Sequence, residues 1–154
     1  MTVLLARGSA DDLDAVMEVM GAAFADRYGE AWTRSQCAGI LPMTGVKLVV
    51  ARDGDGKALG FSLYRTIVDD AELLLLAVDP DAQRRGVGRG LLDDFIADAR
   101  KNGASKIHLE VRDGNPAVSV YKAAGFEQAN RRRNYYKGHD GGAFDALTFV
   151  LAAD

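Results

Sequence analysis

The hydrophobic and polar positions of the chain fall into two repeating patterns, one typical of helices and one typical of strands. Apolar residues recur at helical spacing over residues 13–24, 33–41 and 87–101. Short apolar or alternating runs predict seven strands, at residues 2–7, 46–52, 58–68, 71–78, 105–112, 126–136 and 144–151. The sequence Asp-Gly-Asp-Gly-Lys between the second and third of these runs predicts a hairpin.

Residues at the ends of the predicted helices refine this pattern. Asp11 or Asp12 is suited to cap the first helix, because a short carboxylate side chain accepts from the free amide groups there. Asn115 is suited to cap a further helix that has Pro116 at its first position and ends before Gly125. The chain is therefore expected to contain four helices.

The order of the predicted elements indicates the fold class. It runs strand, two helices, three strands, helix, strand, helix and two strands. The run at residues 71–78 is apolar on both faces, as expected of a central strand that helices cover on both sides. We expect an α/β fold, one domain over residues 1–154, with a mixed central sheet of about seven strands flanked by about four helices.

Composition narrows the class of protein. The chain has 154 residues, of which 48% are apolar and 27% charged, and its net charge of −3 gives no reason to expect nucleic-acid or membrane binding. No apolar run approaches the roughly 18 residues that cross a bilayer, and the N-terminus lacks the features of a signal peptide, so a cytoplasmic location is expected. The single cysteine, Cys37, excludes an internal disulfide and a multi-cysteine metal site, and no metal is expected.

A glycine-rich loop follows the central strand. Gly86, Gly88 and Gly90 are accompanied by arginines at 84, 85 and 89, which suits the binding of phosphate groups. A dinucleotide fingerprint is excluded, because Leu91 stands where its third glycine is required and seven residues separate the strand from Gly86. A triphosphatase loop is excluded by the absence of Gly-Lys-Ser/Thr. A backbone cradle for a diphosphate remains, with a solvated basic turn as the alternative.

Three segments together resemble a known enzyme family. Residues 83–88, Gln-Arg-Arg-Gly-Val-Gly, resemble the Q/R-x-x-G-x-G/A signature with which the GNAT family of N-acetyltransferases binds the acetyl-CoA pyrophosphate. Residues 109–126, LEVRDGNPAVSVYKAAGF, and 132–136, RRNYY, resemble the bacterial ribosomal-protein alanine N-acetyltransferases within that family. The resemblance covers residues 71–151 well and the first 45 residues loosely.

The resemblance implies a fold whose two central strands splay apart, so that the acetyl-CoA arm enters between them. Backbone groups of the central strand would pair with the pantetheine amides, the glycine loop would hold the pyrophosphate, and an asparagine at the start of a helix would contact the coenzyme. The residues implied are Leu76, Ala77, Val78, Gln83, Arg84, Arg85, Gly86, Val87, Gly88, Arg89 and Asn115.

The resemblance also implies catalytic and acceptor-binding residues. Glu110 matches the family's glutamate and is the expected general base; Tyr121 is the expected general acid, since a phenol can protonate a departing thiolate. The separation of six residues between Asn115 and Tyr121 is one shorter than usual in this group, which leaves the helical phase of Tyr121 open. His108 lies on the same strand face as Glu110 and is a candidate proton relay. Acceptor binding is assigned to Trp32, Tyr135 and Tyr136.

The activity expected from the resemblance is acetyl transfer from acetyl-CoA to the N-terminal amine of a protein, in particular the N-terminal alanine of a small-subunit ribosomal protein. A lysine side chain or a small amine is the alternative acceptor. An alternative of another class is a non-catalytic module that binds acyl-CoA as a sensor. Oligomeric state is left open by the sequence.

Overall fold

The computed structural model describes residues 2–25, 28–83 and 85–152. Arg84, one of the residues expected to hold the coenzyme, lies outside the described residues. The strands are β1 (Leu4–Arg7), β2 (Val46–Arg52), β3 (Ala58–Ile67), β4 (Asp70–Val78), β5 (Lys106–Arg112), β6 (Glu127–Lys137) and β7 (Ala143–Leu151). They form one sheet in the order β1-β2-β3-β4-β5-β7-β6, in which β4 and β5 are parallel and the other neighbours antiparallel.

Helices cover both faces of this sheet. They are α1 (Leu13–Ala23), α2 (Arg34–Ile40), α3 (Val87–Lys101) and α4 (Ala117–Ala123), and short 3-10 turns occupy Ala10–Asp12 and Pro80–Ala82. One buried cluster unites α1 and α2 with one face of the sheet, and a second unites α3 and α4 with the other face. The predicted mixed α/β fold with seven strands and four helices is confirmed. Within the described residues, no helix combines the length and apolar character needed to cross a membrane.

The start of α1 differs from the prediction. The chain enters the helix through a 3-10 turn, and Ser9 caps that turn by accepting from the Asp11 amide at 3.2 Å. The Asp12 carboxylate accepts from the Ser9 amide at 2.9 Å instead of capping α1 itself. Asp12 therefore holds the N-cap position of α1, as predicted, but its carboxylate makes no capping bond to α1 because it closes the capping box with Ser9.

A β-bulge divides β4 into two halves. Leu63 and Tyr64 of β3 are adjacent, yet their partners are Leu75 and Leu73, so Leu74 is an extra residue on β4. As a result Leu73 packs in the core beneath α3, whereas Leu75 packs in the core beneath α1. A bulge bends and twists its strand. The side chains of β4 therefore reverse their faces at Leu74, and the strand remains apolar on both sides.

The pairing between β4 and β5 ends where this bulge begins. Parallel pairing joins Asp70–Leu73 to Lys106–Leu109 and does not continue beyond the pair Leu73 and Leu109. The C-terminal halves of the two strands, residues 74–78 and 110–112, therefore face each other across a gap. The expected splaying of the central strands is confirmed, and the gap it leaves is the candidate site.

Candidate active site

The gap between β4 and β5 encloses a cavity of about 60 Å³. Six parts of the chain line it: the connection between α1 and α2, the strands β4 and β5, the segment just before α4, α4 itself and β6. Six residues that were predicted from the sequence are among the lining residues, namely Trp32, Leu76, Glu110, Asn115, Tyr121 and Tyr136. The fold thus brings together predicted residues that lie up to 104 positions apart in the sequence, from Trp32 to Tyr136.

Glu110 lies at the point where β5 leaves β4. The alternation of β5 places Leu109 and Val111 in the core under α3, and Glu110 projects from the opposite face into the gap. Its side chain is 19% exposed, and Oε1 lies 3.1 Å from a guanidinium nitrogen of Arg132 on β6. Glu110 is therefore a partly desolvated carboxylate with a cation beside it whose side chain is more than half exposed.

Tyr121 reaches the gap from α4 despite the short spacing. Its ring is buried against Phe126 and Phe149, with centroid distances of 6.1 and 6.5 Å. Burial, followed by the nearby Tyr136 and Glu30, raises the pKa of the Tyr121 phenol well above its ordinary value. Tyr121 therefore stays protonated at any pH at which the protein would be assayed.

His108 has a different environment from Glu110. Its Nε2 lies 2.7 Å from Asp70 Oδ1, at the end of the sheet where β4 and β5 are still paired. On β5 the cavity is lined by Leu109, Glu110 and Val111, and His108 is not among the lining residues. The structure thus gives His108 a contact that joins β5 to the start of β4.

Asn115 connects the start of α4 to the α1–α2 connection. Its Oδ1 accepts from the Ala117 amide at 2.8 Å, which is the capping contact expected from the sequence. The helix itself begins at Ala117, one residue after Pro116. The other end of the amide, Nδ2, donates to Glu30 Oε2 at 2.6 Å. Asn115 therefore caps α4 and fixes Glu30 at the same time.

Glu30 and Arg112 form a buried ion pair behind the gap. Arg112 Nε donates to Glu30 Oε1 at 2.9 Å, and each side chain is only 8% exposed. Both oxygens of Glu30 are thus bonded, one to Arg112 and one to Asn115. Arg112 had no role in the sequence interpretation, because an arginine in a strand is ordinarily a surface residue. A glutamate 82 positions away in sequence is what allows it to be buried.

The segment that carries Glu30 and Trp32 packs against residues of β5, β6 and β7. The Arg112 guanidinium lies 3.6 Å from the centroid of Tyr28, and Tyr28 packs edge-on against Phe144 of β7 at 5.0 Å. Gly29 has a φ of +68°, and a Cβ there would lie 2.1 Å from the carbonyl oxygen of Lys137. Only glycine permits this close approach, so one wall of the gap is held in place by backbone contact as well as by the ion pair.

The glycine loop lies beyond the C-terminal end of β4. Gly86 has a φ of +78° and directly precedes α3, and the first helical hydrogen bond there joins the Gly90 amide to the Gly86 carbonyl at 2.9 Å. The amides of Val87, Gly88 and Arg89 therefore precede the first internal bond of the helix and point out of its N-terminus. A Cβ at Gly90 would meet nothing within 4 Å, so close packing within the described chain does not explain that glycine.

Side chains around this loop are largely exposed. Gln83, Arg85 and Arg89 are exposed, while Val87 is buried in the core beneath α3. Arg89 Nε lies 2.9 Å from Asp93 one turn along the helix, and both side chains are about half exposed. On β4, residues 76–78 pair with β3 on one edge and present their other edge to the gap. The glycine loop follows this free edge of β4 in the chain, so the two surfaces lie next to each other in sequence.

The two tyrosines of β6 have different positions. Tyr136 lines the gap, and burial together with the charges of Glu30 and Glu110 raises the pKa of its phenol. Tyr135 is 51% exposed and packs edge-on against Tyr136 at 5.1 Å. The Arg132 guanidinium lies 5.5 Å from the Tyr135 ring. Trp32, from the opposite side, is half-buried and also lines the gap.

The sequence of this chain is similar to those of known acetyltransferases. The sequence profile of the acetyltransferase (GNAT) family matches residues 13–126. The [ribosomal protein bS18]-alanine N-acetyltransferase of Escherichia coli strain K12 is 43% identical over 98 residues, which make up 63% of this chain and 66% of that enzyme. The chain therefore matches slightly less than two thirds of that relative's length. Mycothiol acetyltransferase of Clavibacter sepedonicus is 31% identical over 142 residues, or 82% of this chain and 43% of that enzyme.

The fold agrees with the sequence match. The crystal structure of the ribosomal-protein-S18-alanine N-acetyltransferase from Escherichia coli aligns with a TM-score of 0.88 and 31% identity, over 99% of this chain and 95% of that chain. The matched profile spans more than half of the residues and includes both the glycine loop and the splayed strands. The chain therefore belongs to the GNAT acetyltransferase family.

Proposed function

We propose that this protein transfers an acetyl group from acetyl-CoA to the N-terminal amine of a protein, specifically the N-terminal alanine of a small-subunit ribosomal protein. The observation that carries the proposal is the convergence of Glu110, Tyr121 and Tyr136 on one gap, next to the free edge of β4. The bacterial relative at 43% identity is a [ribosomal protein bS18]-alanine N-acetyltransferase, which supports the choice of acceptor.

The coenzyme is proposed to lie along the free edge of β4. Backbone groups of Leu76, Ala77 and Val78 have no partner on β5 and are available to bond an extended chain of amides. The loop from Gln83 to Arg89 would hold the pyrophosphate, because its helix N-terminus presents free amides and a partial positive charge. Acetyl-CoA supplies the activated acetyl group as a thioester, and these residues bind and orient it.

Glu110 is proposed to act as the general base. An N-terminal amine has a pKa of about 8 and is mostly protonated at neutral pH, so it must lose a proton before it attacks. Glu110 would accept that proton directly or through one water molecule. The neutral amine then forms a bond to the thioester carbonyl carbon, which a backbone amide near Ala77 or Val78 would polarise. The carbon–sulfur bond breaks, the nitrogen releases its second proton to solvent, and the amide product forms.

Tyr121 is proposed to stabilise the departing thiolate. Because the pKa of Tyr121 is raised, its phenol holds its proton more tightly than a thiol does, whose pKa is about 8.5. Complete proton transfer from Tyr121 to the sulfur is therefore unfavourable at equilibrium. A hydrogen bond donated to the developing negative charge is favourable, and a solvent proton can complete the neutralisation.

A small amine is a second candidate acceptor. The match to mycothiol acetyltransferase extends over 82% of the chain, further than the match to the ribosomal-protein enzyme, although at lower identity. The cavity itself is small, at about 60 Å³, which suits an amine that enters end-on. Transfer to a lysine side chain would use the same gap.

The test is a transfer assay with acetyl-CoA and a panel of acceptors. The panel contains peptides with alanine, serine and methionine at the N-terminus, their N-terminally blocked lysine-containing counterparts, and small primary amines. Mass spectrometry locates the acetyl group and a thiol dye measures released coenzyme. We expect acetylation of the α-amine of the alanine-first peptide at the highest kcat/KM. Preference for a small amine would replace the proposed acceptor, and binding of acetyl-CoA without turnover would support a non-catalytic sensor.

A further inference from the structure

The strand β6 is irregular immediately before Tyr136. Arg132 pairs with Ala146 and Tyr136 pairs with Phe144, so three residues of β6, at 133–135, stand opposite the single residue Asp145 of β7. Asn134, at the centre of this bulge, has a φ of +52°, in the left-handed region that non-glycine residues seldom adopt. Such a conformation persists only where neighbouring contacts hold it.

Asp145 supplies those contacts. Its Oδ1 accepts from the Asn134 amide at 3.0 Å, and its Oδ2 accepts from Arg131 Nη1 at 2.7 Å. Arg131 also donates to Asp113 Oδ2 at 2.8 Å, and the Asp113 amide donates to the Asp145 carbonyl at 2.9 Å. The Asp145 carboxylate therefore bonds both the centre of the bulge and Arg131 just before it. Arg131 and the Asp145 backbone in turn bond to Asp113, the residue after β5. The Asn134 amide and then the Arg131 guanidinium hold the pKa of Asp145 below its usual range.

The bulge decides which residue faces the gap. With regular antiparallel pairing after Arg132, Asn134 would stand opposite Phe144, and Tyr136 would lie two residues further along the strand. Two residues correspond to about 6.8 Å along an antiparallel strand. With the bulge, Tyr136 occupies the position opposite Phe144 and lines the gap with Glu110. The two additional residues move Tyr136 back into the site.

We propose that Asp145 is a positioning residue of the acceptor side of the site: its carboxylate holds the β6 bulge that places Tyr136 in the gap. This inference rests on the proposed function, because it assigns Tyr136 to the wall against which the acceptor binds. Asp145 itself does not line the cavity, which separates its role from that of Glu110. The coenzyme side, along β4 and the start of α3, is formed by other elements.

The experiment compares Asp145→Ala with Asp145→Asn and with a control, Asp113→Asn. Asparagine at 145 keeps an acceptor for the Asn134 amide, whereas alanine removes both contacts; Asp113 shares Arg131 but does not contact Asn134. With the best acceptor from the transfer assay, we expect Asp145→Ala to raise the acceptor KM about 10-fold. Asp145→Asn and Asp113→Asn should each change it less than 3-fold, and the acetyl-CoA KM should stay within 2-fold in all three.

Two further variants at Asn134 keep the test decisive if Asp145→Ala folds poorly. Glycine adopts a positive φ without strain, so Asn134→Gly should restore at least half of the acceptor affinity lost in Asp145→Ala. Asn134→Ala places a strained residue in the bulge while Asp145 remains intact, and it should raise the acceptor KM alone. Equal rises in both KM values, or an unchanged acceptor KM in Asp145→Ala and Asn134→Ala, would overturn the inference.

Failure of the proposed function has a different signature. It would appear in the wild-type protein as absence of α-amine acetylation, before any variant is compared. In that case a crystal structure of Asp145→Ala decides the positioning role on its own. Tyr136 displaced from the gap supports the inference, and Tyr136 retained beside Glu110 overturns it.

Discussion

Arg112→Met tests the buried ion pair that holds the acceptor-side wall. The substitution keeps a long side chain of similar length but removes the guanidinium from Glu30 and from the face of Tyr28. Glu30 then keeps its bond to Asn115 Nδ2 at 2.6 Å and loses the cation that pairs with it among the described residues. The variant therefore leaves a carboxylate inside the protein with half of its stabilising contacts.

The expected loss of unfolding free energy follows from the burial of the ion pair. Both side chains are 8% exposed, and removing one partner of a buried ion pair costs about 3–5 kcal/mol of unfolding free energy, because the remaining charge stays desolvated. The surviving bond from Asn115 favours the lower end of that range. Loss of the cation–π contact with Tyr28 adds about 0.5–1 kcal/mol. We expect a total of about 3–4 kcal/mol, which at a urea m-value of about 2 kcal/mol/M lowers the midpoint by about 1.5–2 M.

The assay is urea unfolding at pH 7, followed by far-ultraviolet circular dichroism. The control is Arg65→Met, because Arg65 pairs with Glu72 on the surface, with side chains 34% and 28% exposed. A surface ion pair of this kind contributes less than about 1 kcal/mol to the unfolding free energy. The double variant Glu30→Gln/Arg112→Met removes the stranded charge and should recover part of the loss. If Arg112→Met costs no more than Arg65→Met, the pair does not hold the wall and the reasoning fails.

Three further predictions concern catalysis, acid stability and the glycine loop. Glu110→Gln and Tyr121→Phe should each lower kcat at least 10-fold in steady-state kinetics; unchanged rates in both would remove their proposed roles. Burial acts to raise the pKa of the Asp98 carboxyl, but hydrogen bonds from Lys47 and Tyr64 outweigh burial, so this pKa lies below its usual value. Asp98→Asn should therefore lower the unfolding free energy by about 1–3 kcal/mol at neutral pH. The difference in unfolding free energy from wild type should shrink as the pH falls below about 4, because the wild-type carboxylate is then protonated. A difference in urea unfolding that stays constant with pH would contradict this. Gly86 has a φ of +78°, so Gly86→Ala should destabilise the fold by about 1–2 kcal/mol and raise the acetyl-CoA KM. The control variant Gly90→Ala should not destabilise the fold. Thermal unfolding and steady-state kinetics will distinguish the two variants.

The parts of the fold that the sequence predicted correctly are those set by local patterns. Hydrophobic periodicity places α3 and the strands within a few residues of their observed bounds. The alternation of β5 is enough to put Glu110 on the opposite face from Leu109 and Val111. Asn115 could be identified as a helix cap because capping depends on residues adjacent in the chain.

The parts that escaped prediction depend on partners distant in the chain. Glu30 and Arg112 are 82 positions apart, and neither residue has a local pattern that marks it as buried. The bulges at Leu74 and at residues 133–135 are likewise visible only in the register between strands. The predicted cap position of α1 is occupied by Asp12, but the capping bond itself does not form, because the Asp12 carboxylate accepts from the Ser9 amide in a local capping box.

These irregularities are what create the site. Had β4 and β5 remained paired to their ends, residues 74–78 and 110–112 would have bonded to each other and no gap would exist. The bulge at Leu74 and the end of that pairing coincide, so the backbone groups beyond Leu73 that face β5, rather than β3, are left to bond water or a ligand. An extended molecule with regularly spaced amides can replace the missing strand, and the free helix N-terminus beyond β4 can bind its anionic end. The second bulge then supplies Tyr136 on the far side. The position of the proposed reaction is therefore set by two interruptions of one sheet, rather than by the pattern that forms the sheet.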